Sequence, residues 1–128
     1  MKQKIAIITN DVLFWNLLKP LLIDKIPDIK IYICSNYNEI NLIFERFKFD
    51  LVLVDGGIEG ISSIEMIQYL RSSKRVIAPV WFFPEIITEL YIHRSRLMGA
   101  SRIINKPFDP FKITDEISSL FVNQPIQN

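Results

Sequence analysis

Asp55 is the residue of this chain best placed to do chemistry. It closes the apolar run Leu51–Val54 and is followed at once by Gly56 and Gly57. Four consecutive Leu and Val residues bounded by a turn signal predict a strand buried on both faces. Its carboxylate then stands at the strand's carboxyl end, where it can work chemically or cap a loop. A cation occupies a comparable setting: Lys106 precedes Pro107 and follows the short run Arg102–Ile104. Other reactive types carry less. Cys34 is the single cysteine, which rules out an internal disulfide or a thiolate cluster, and its place at the end of an apolar run predicts a small buried thiol. His93 is the single histidine and has no second ligand nearby in sequence, so neither metal binding nor catalysis is assigned to it. Gly56-Gly57 is too short to cradle a phosphate, and no GxxxxGK or GxGxxG string occurs.

Strands and helices in alternation must position these groups. Strand-like runs are Lys4–Thr9, Ile29–Cys34, Leu51–Val54, Pro79–Phe83 and Arg102–Ile104, most of them β-branched or aromatic. Between them, apolar residues recur at helical spacing: Phe14, Leu17, Leu18, Leu21 and Leu22; then Ile40, Ile43, Phe44 and Phe47; then Ile64, Ile67 and Leu70. A fourth stripe runs from Ile86 and Ile87 through Leu90, Tyr91 and Leu97 to Met98, and a fifth joins Ile113, Ile117, Leu120 and Phe121. Each predicts a helix with one apolar face turned to the core. Gly99 is a predicted helix stop, and Asp109-Pro110 a predicted N-cap and first helical residue. Pro20 falls inside the first helix and is predicted to remove a backbone bond and bend it. Trp81–Phe83 reads as core, with Trp81 near the strand end. Alternation of this kind predicts a parallel sheet with helices on both faces. Function in such sheets gathers at the carboxyl ends of the strands, which puts Thr9, Asn10, Asp55, Phe83 or Pro84, Asn105 and Lys106 along one rim.

The chain has 128 residues, 49% of them hydrophobic, enough for one domain with one core. That domain is expected over residues 1–121, with 122–128 as a tail or linker stub. Fifteen basic residues against fourteen acidic leave a net charge of +1, which gives no reason to expect nucleic acid or an anionic membrane as a partner. The amino-terminal apolar run is too short for a signal peptide and no segment is long enough to span a bilayer. With one cysteine, the expectation is a soluble cytoplasmic protein.

Two blocks are more specific than periodicity: GASRIINKPFDP, Gly99 to Pro110, and DLVLVDGGIEGISSIEMIQYLR, Asp50 to Arg71. On these the chain resembles the receiver domain of two-component response regulators, from Lys4 to about Phe121. The resemblance implies a flavodoxin-like, doubly wound five-stranded parallel sheet, (βα)5, in three α/β/α layers. It places Asp55 at the phosphoacceptor position and Lys106 at the lysine that contacts the phosphoryl group, and the Lys106-Pro107 bond is often cis in the family. The departures are specific. Two acidic residues that hold Mg²⁺ are replaced by Thr9 and Asn10, with the nearest carboxylate one place later at Asp11. The Ser or Thr ending the fourth strand is replaced by Pro84, with Phe83 beside it. The switch aromatic is Ile103, and the proline usual before Gly60 is Glu59.

Phosphoryl transfer to a carboxylate joins two anions, so charge must be neutralised as it builds up. Mg²⁺ does this when oxygen ligands, usually carboxylates, hold it. A charge pair about 4 Å apart is worth about 4 kcal/mol gross at an effective dielectric of about 20, and a divalent ion roughly doubles that. With two carboxylates gone, Asn10 and the carbonyl of Gly57 remain as neutral donors, and Asp11 could substitute only through a one-residue slip. The expectation is that no cofactor is required and that Mg²⁺ binds weakly at most. Neither Phe83 nor Pro84 can donate a hydrogen bond to a phosphoryl group, and Ile103 has no ring to turn. Asp55 and Lys106 are then expected to form a direct ion pair that fixes one conformation. The leading reading is a non-enzymatic receiver-type interaction module with an atypical acidic pocket. Its expected partner is a histidine kinase or a downstream signalling protein, and a homodimer through the fourth helix and fifth strand is the further expectation. The alternatives are a working phosphoacceptor on Asp55 and a flavodoxin-like small-molecule-binding protein or enzyme.

Overall fold

The computed structural model describes residues 2–122. Its elements alternate: β1 (Lys4–Thr9), α1 (Val12–Lys25), β2 (Lys30–Cys34), α2 (Tyr37–Arg46), β3 (Leu51–Asp55), α3 (Ser63–Ser72), β4 (Val80–Phe83), α4 (Glu89–Met98), β5 (Arg102–Ile103) and α5 (Pro110–Val122). The strands form one parallel sheet in the order β2-β1-β3-β4-β5. Of the expected tail, Val122 belongs to α5, and 123–128 lie outside the described residues. Among the described residues no helix is long and apolar enough to cross a membrane.

The period of two along each strand divides the core. Ile5, Ile7, Leu51, Leu53, Trp81 and Phe83 face one side of the sheet, where Phe14, Leu18 and Leu22 of α1 and Ile113 and Ile117 of α5 cover them. Ala6, Ile8, Val52, Val54, Val80 and Phe82 face the other, against Ile40 of α2 and Met66, Ile67 and Leu70 of α3. All of β3 and β4 is buried, as expected of a parallel sheet covered on both faces.

Helix starts follow the capping chemistry. Asp11, Asn36, Ser62, Thr88 and Asp109 each accept a hydrogen bond from a first-turn backbone N–H, which satisfies donors the helix leaves unpaired. Gly99 ends α4 at φ +124, and a Cβ there would lie 2.6 Å from the Cγ of Arg71. That arginine ties the α3–β4 loop to the α4–β5 loop. Its Nη1 donates to the carbonyls of Val76 (2.8 Å) and Ala78 (2.7 Å), and its Nε and Nη2 to that of Gly99 (3.0 and 2.8 Å).

Several expectations need correction. α4 begins at Glu89, so Ile86 and Ile87 lie in the preceding loop. The apolar stripe of α4 is also split: Leu90 and Leu97 are exposed, Tyr91 and Met98 pack on the core, and Ser95 is its buried residue. Pro20 lies inside α1 as expected; it deprives the Asn16 carbonyl of a helical donor, and both residues are exposed so that water can replace it. β2 and β4 each start one residue later than expected, and β5 is one residue shorter. Trp81 pairs with Leu53, while Phe83 pairs with Asp55, so the indole sits two residues below the rim. Cys34 is buried at the end of β2, where burial and the charge of Glu39 push its thiol pKa up to about 12.

Candidate functional site

The sheet register builds the site. Thr9, Asp55 and Phe83 are level neighbours across β1, β3 and β4, so three strand ends present their last side chains together. From Ile5, Leu51 and Val80 onward the three strands are apolar up to that point, and of their residues Thr9 and Asp55 alone combine burial with polarity. Asp55 is buried, with its side chain 4% exposed, and both carboxylate oxygens are engaged. Lys106 Nζ bonds Oδ1, and the Thr9 hydroxyl donates to Oδ2 at 2.7 Å. Thr9 Oγ1 in turn accepts from the backbone N–H of Asp11 at 2.9 Å. Lys106, whose side chain is 36% exposed, arrives from the β5–α5 loop, where the Lys106-Pro107 peptide bond is cis.

Beneath this pair lies an aromatic floor. The rings of Phe14 and Phe83 are 4.8 Å apart, those of Phe83 and Phe108 5.0 Å. Lys106 Nζ stands 5.3 Å from the centre of the Phe14 ring, close enough for a cation–π attraction. Apolar surroundings of this kind strengthen the Asp55–Lys106 attraction and raise the cost of leaving either charge unpaired.

The remaining rim residues are placed as follows. Asn10 is exposed and donates its side-chain amide to the Gly57 carbonyl at 3.4 Å, so the two neutral oxygen sources are joined to each other. Asp11 caps α1, its Oδ1 accepting from the Leu13 N–H at 2.9 Å. No slip brings it to Asp55, because Thr9 holds the register. Gly56, at φ +64, donates its N–H to the Phe83 carbonyl at 3.2 Å, and the Glu85 side chain lies against it. Pro84 is buried directly after β4. Ile103 is half-buried, pairs with Phe82 and packs on the α3 side of the sheet. His93 is exposed on α4.

This donor set does not fit Mg²⁺. A small hard cation needs several oxygens with free lone pairs in near-octahedral array. Asp55 already has a lysine on one oxygen and a hydroxyl donor on the other, and Asp11 is committed to a helix end. Among the described residues no three His, Cys, Asp or Glu side chains gather into a possible metal cluster. What the arrangement does is neutralise a buried carboxylate internally.

Sequence reasoning assigned Thr9 only to a lost metal position. Its hydroxyl as a donor to Asp55 rests on two facts the structure supplies, that β1 and β3 are neighbours and that they end level. Phe14 and Phe108 as the floor under Lys106 left a weaker signal, one lying in a helical stripe and the other beside Lys-Pro.

Comparison with known proteins bears on the fold and the family. The model of the response regulator receiver domain matches residues 5–118. The transcriptional regulatory protein CrdR of Helicobacter pylori is 23% identical over 127 residues, which cover 99% of this chain and 59% of that protein. The chain therefore spans about three-fifths of the length of this curated relative. A two-component response regulator from Clostridium difficile superposes with a TM-score of 0.82 at 19% identity, over 94% of this chain and 97% of that one. The signal receiver domain of a DNA-binding response regulator from Colwellia psychrerythraea gives 0.81 at 22% identity, over 94% and 99%.

Proposed function

Because the chain belongs to the response regulator receiver domain family, we propose that it is a receiver of two-component signal transduction that acts as a protein-interaction module, its acidic pocket closed by an internal ion pair. The observation that carries this reading is the double engagement of Asp55 by Lys106 and Thr9. A receiver that depends on phosphate needs a free carboxylate, a cation to offset charge, and a hydroxyl and ring to relay the change. Here the lysine takes the cation's place, Pro84 replaces the hydroxyl, and Ile103 replaces the ring. The pair holds the rim in one state, so binding does not wait on a phosphoryl group, Mg²⁺ binds weakly or not at all, and no catalytic turnover is involved.

The partner is a protein, a histidine kinase or a downstream signalling component of the cytoplasm. Ile86, Ile87, Leu90 and Leu97 are each exposed along the β4–α4 loop and α4, and exposed apolar side chains gathered on one element suit a contact site. A homodimer through α4 and β5 uses the same site.

A second reading has its own observation. Lys106 is partly exposed and can swing outward, which frees Asp55 to accept a phosphoryl group from a kinase. The test is to incubate the chain with a small phosphodonor and Mg²⁺ and measure intact mass, with Asp55→Asn as control. The interaction-module reading predicts no adduct. An adduct that the control abolishes overturns it in favour of a working phosphoacceptor.

A further inference from the structure

A groove lies at the opposite end of the sheet from Asp55. It holds about 500 Å³, within the roughly 300–1,000 Å³ usual for small-molecule sites. One wall is the turn from α2 into β3, the other the loop from α3 into β4. Its floor is aromatic and aliphatic: Phe44, Phe47, Phe49 and Val76 line it, with the rings of Phe44 and Phe49 4.8 Å apart. Its edge is cationic, with Arg46, Lys48, Lys74 and Arg75 against the single carboxylate of Glu45. The chain's net charge is only +1, so positive charge is concentrated here and the remainder is net negative.

Both walls are held in place before any ligand arrives. Arg71 pins the α3–β4 loop through the Val76 and Ala78 carbonyls. Lys74, its side chain 11% exposed, bridges to Glu45 at 3.2 Å and ties that loop to α2. Preorganisation of this kind lowers the cost of binding. Arg46, Lys48 and Arg75 have no ion-pair partner among the described residues. Arg75 sits at φ +54, a left-handed conformation that glycine would adopt more easily. Ile77 stands 96% exposed at the edge.

We propose that this groove binds a small organic anion, a flat apolar body carrying a phosphate, sulfonate or carboxylate group. The flat body lies on the phenylalanine floor, and the charged group meets Lys48, Arg46 and Arg75. An inorganic anion would leave the floor unused. A nucleic acid needs a longer basic track. The proposal is independent of what Asp55 does, because the groove and the rim lie at opposite ends of β3 and β4.

The probe is anilinonaphthalene sulfonate, which joins a flat aromatic body to one anionic group; phenylnaphthylamine is its uncharged counterpart. Both are titrated against the full chain, with the site located by amide NMR shifts. The expected result is saturable binding with shifts centred on residues 47–49 and 76–78, affinity that falls with salt, and a neutral analogue about tenfold weaker or more. Lys48→Glu and Arg75→Gly should each weaken the sulfonate by about threefold or more. Both side chains are exposed, so the melting temperature should be preserved; Lys48→Ala serves if the charge reversal fails to fold. Equal affinity for the neutral analogue, shifts centred on α4, indifference to the variants, or no saturable binding would each overturn the proposal.

Discussion

Replacing Lys106 by Met isolates the ion pair at the rim. The substitution removes the charge and keeps an unbranched stem over Phe14. Asp55 is left with the Thr9 hydroxyl alone, its side chain still 4% exposed. Removing one partner of a fully buried pair costs about 3–5 kcal/mol, whereas an exposed pair is worth about 0–1 kcal/mol. Here the carboxylate is buried and the lysine is 36% exposed, so water screens part of the attraction and the expected loss is about 2 kcal/mol. For a chain of this size that lowers the melting temperature by about 6–10 °C. The assay is urea unfolding followed by circular dichroism, at unchanged m-value, for Lys106→Met, Asp55→Ala and the double variant. A coupling of about 1–2 kcal/mol is expected between the two sites. If Lys106→Met stays within about 0.3 kcal/mol of the parent and the two changes add, the pair does not hold the rim and the reasoning is refuted.

Restoring acids should restore metal binding. In Thr9→Asp/Asn10→Asp a new carboxylate stands where a hydroxyl now lies 2.7 Å from Asp55; the metal-free variant should lose about 2 kcal/mol to like-charge repulsion and regain it with Mg²⁺, read as melting temperature with and without the ion. Arg71→Lys cannot reproduce a planar fork that reaches the carbonyls of Val76, Ala78 and Gly99, and should cost about 2–3 kcal/mol in urea unfolding. The Cys34 thiol has its folded pKa raised from 9.0 to about 12. Below pH 9 it is neutral in both states; above, the unfolded chain ionises first, so stability should fall as pH rises from about 9 to about 12. At about pH 8 alkylation of the native thiol should be about a hundredfold slower than in urea, and equal rates would contradict its burial.

The parts of the fold readable in sequence are those with strong local chemistry. Leu51–Val54 is short, β-branched in part and closed by Gly56-Gly57, which favours a doubly buried strand over a helix, and Asp109-Pro110 and Gly99 mark helix ends because few residues suit those positions. The rim followed from strand alternation, which puts Thr9, Asn10, Asp55 and Lys106 along one edge. α4 was misread because periodicity reports an apolar face without saying what covers it. Its core contacts come from Tyr91, Ser95 and Met98, and the leucines face outward. Arg71 left no trace, since its partners, apart from the Ser101 hydroxyl, are backbone carbonyls that any residue supplies. Thr9 was counted as a missing acid, and its role as donor to Asp55 emerges only once β1 and β3 end level.

The most direct test of a rim neutralised from within is a Mg²⁺ titration of the unaltered chain, followed by amide NMR at Asn10, Asp55 and Gly57. Internal neutralisation by Lys106 and Thr9 predicts no saturable shift at those amides, with any affinity weaker than about 1 mM. Saturable binding tighter than that, with Lys106 displaced from Asp55, would contradict it.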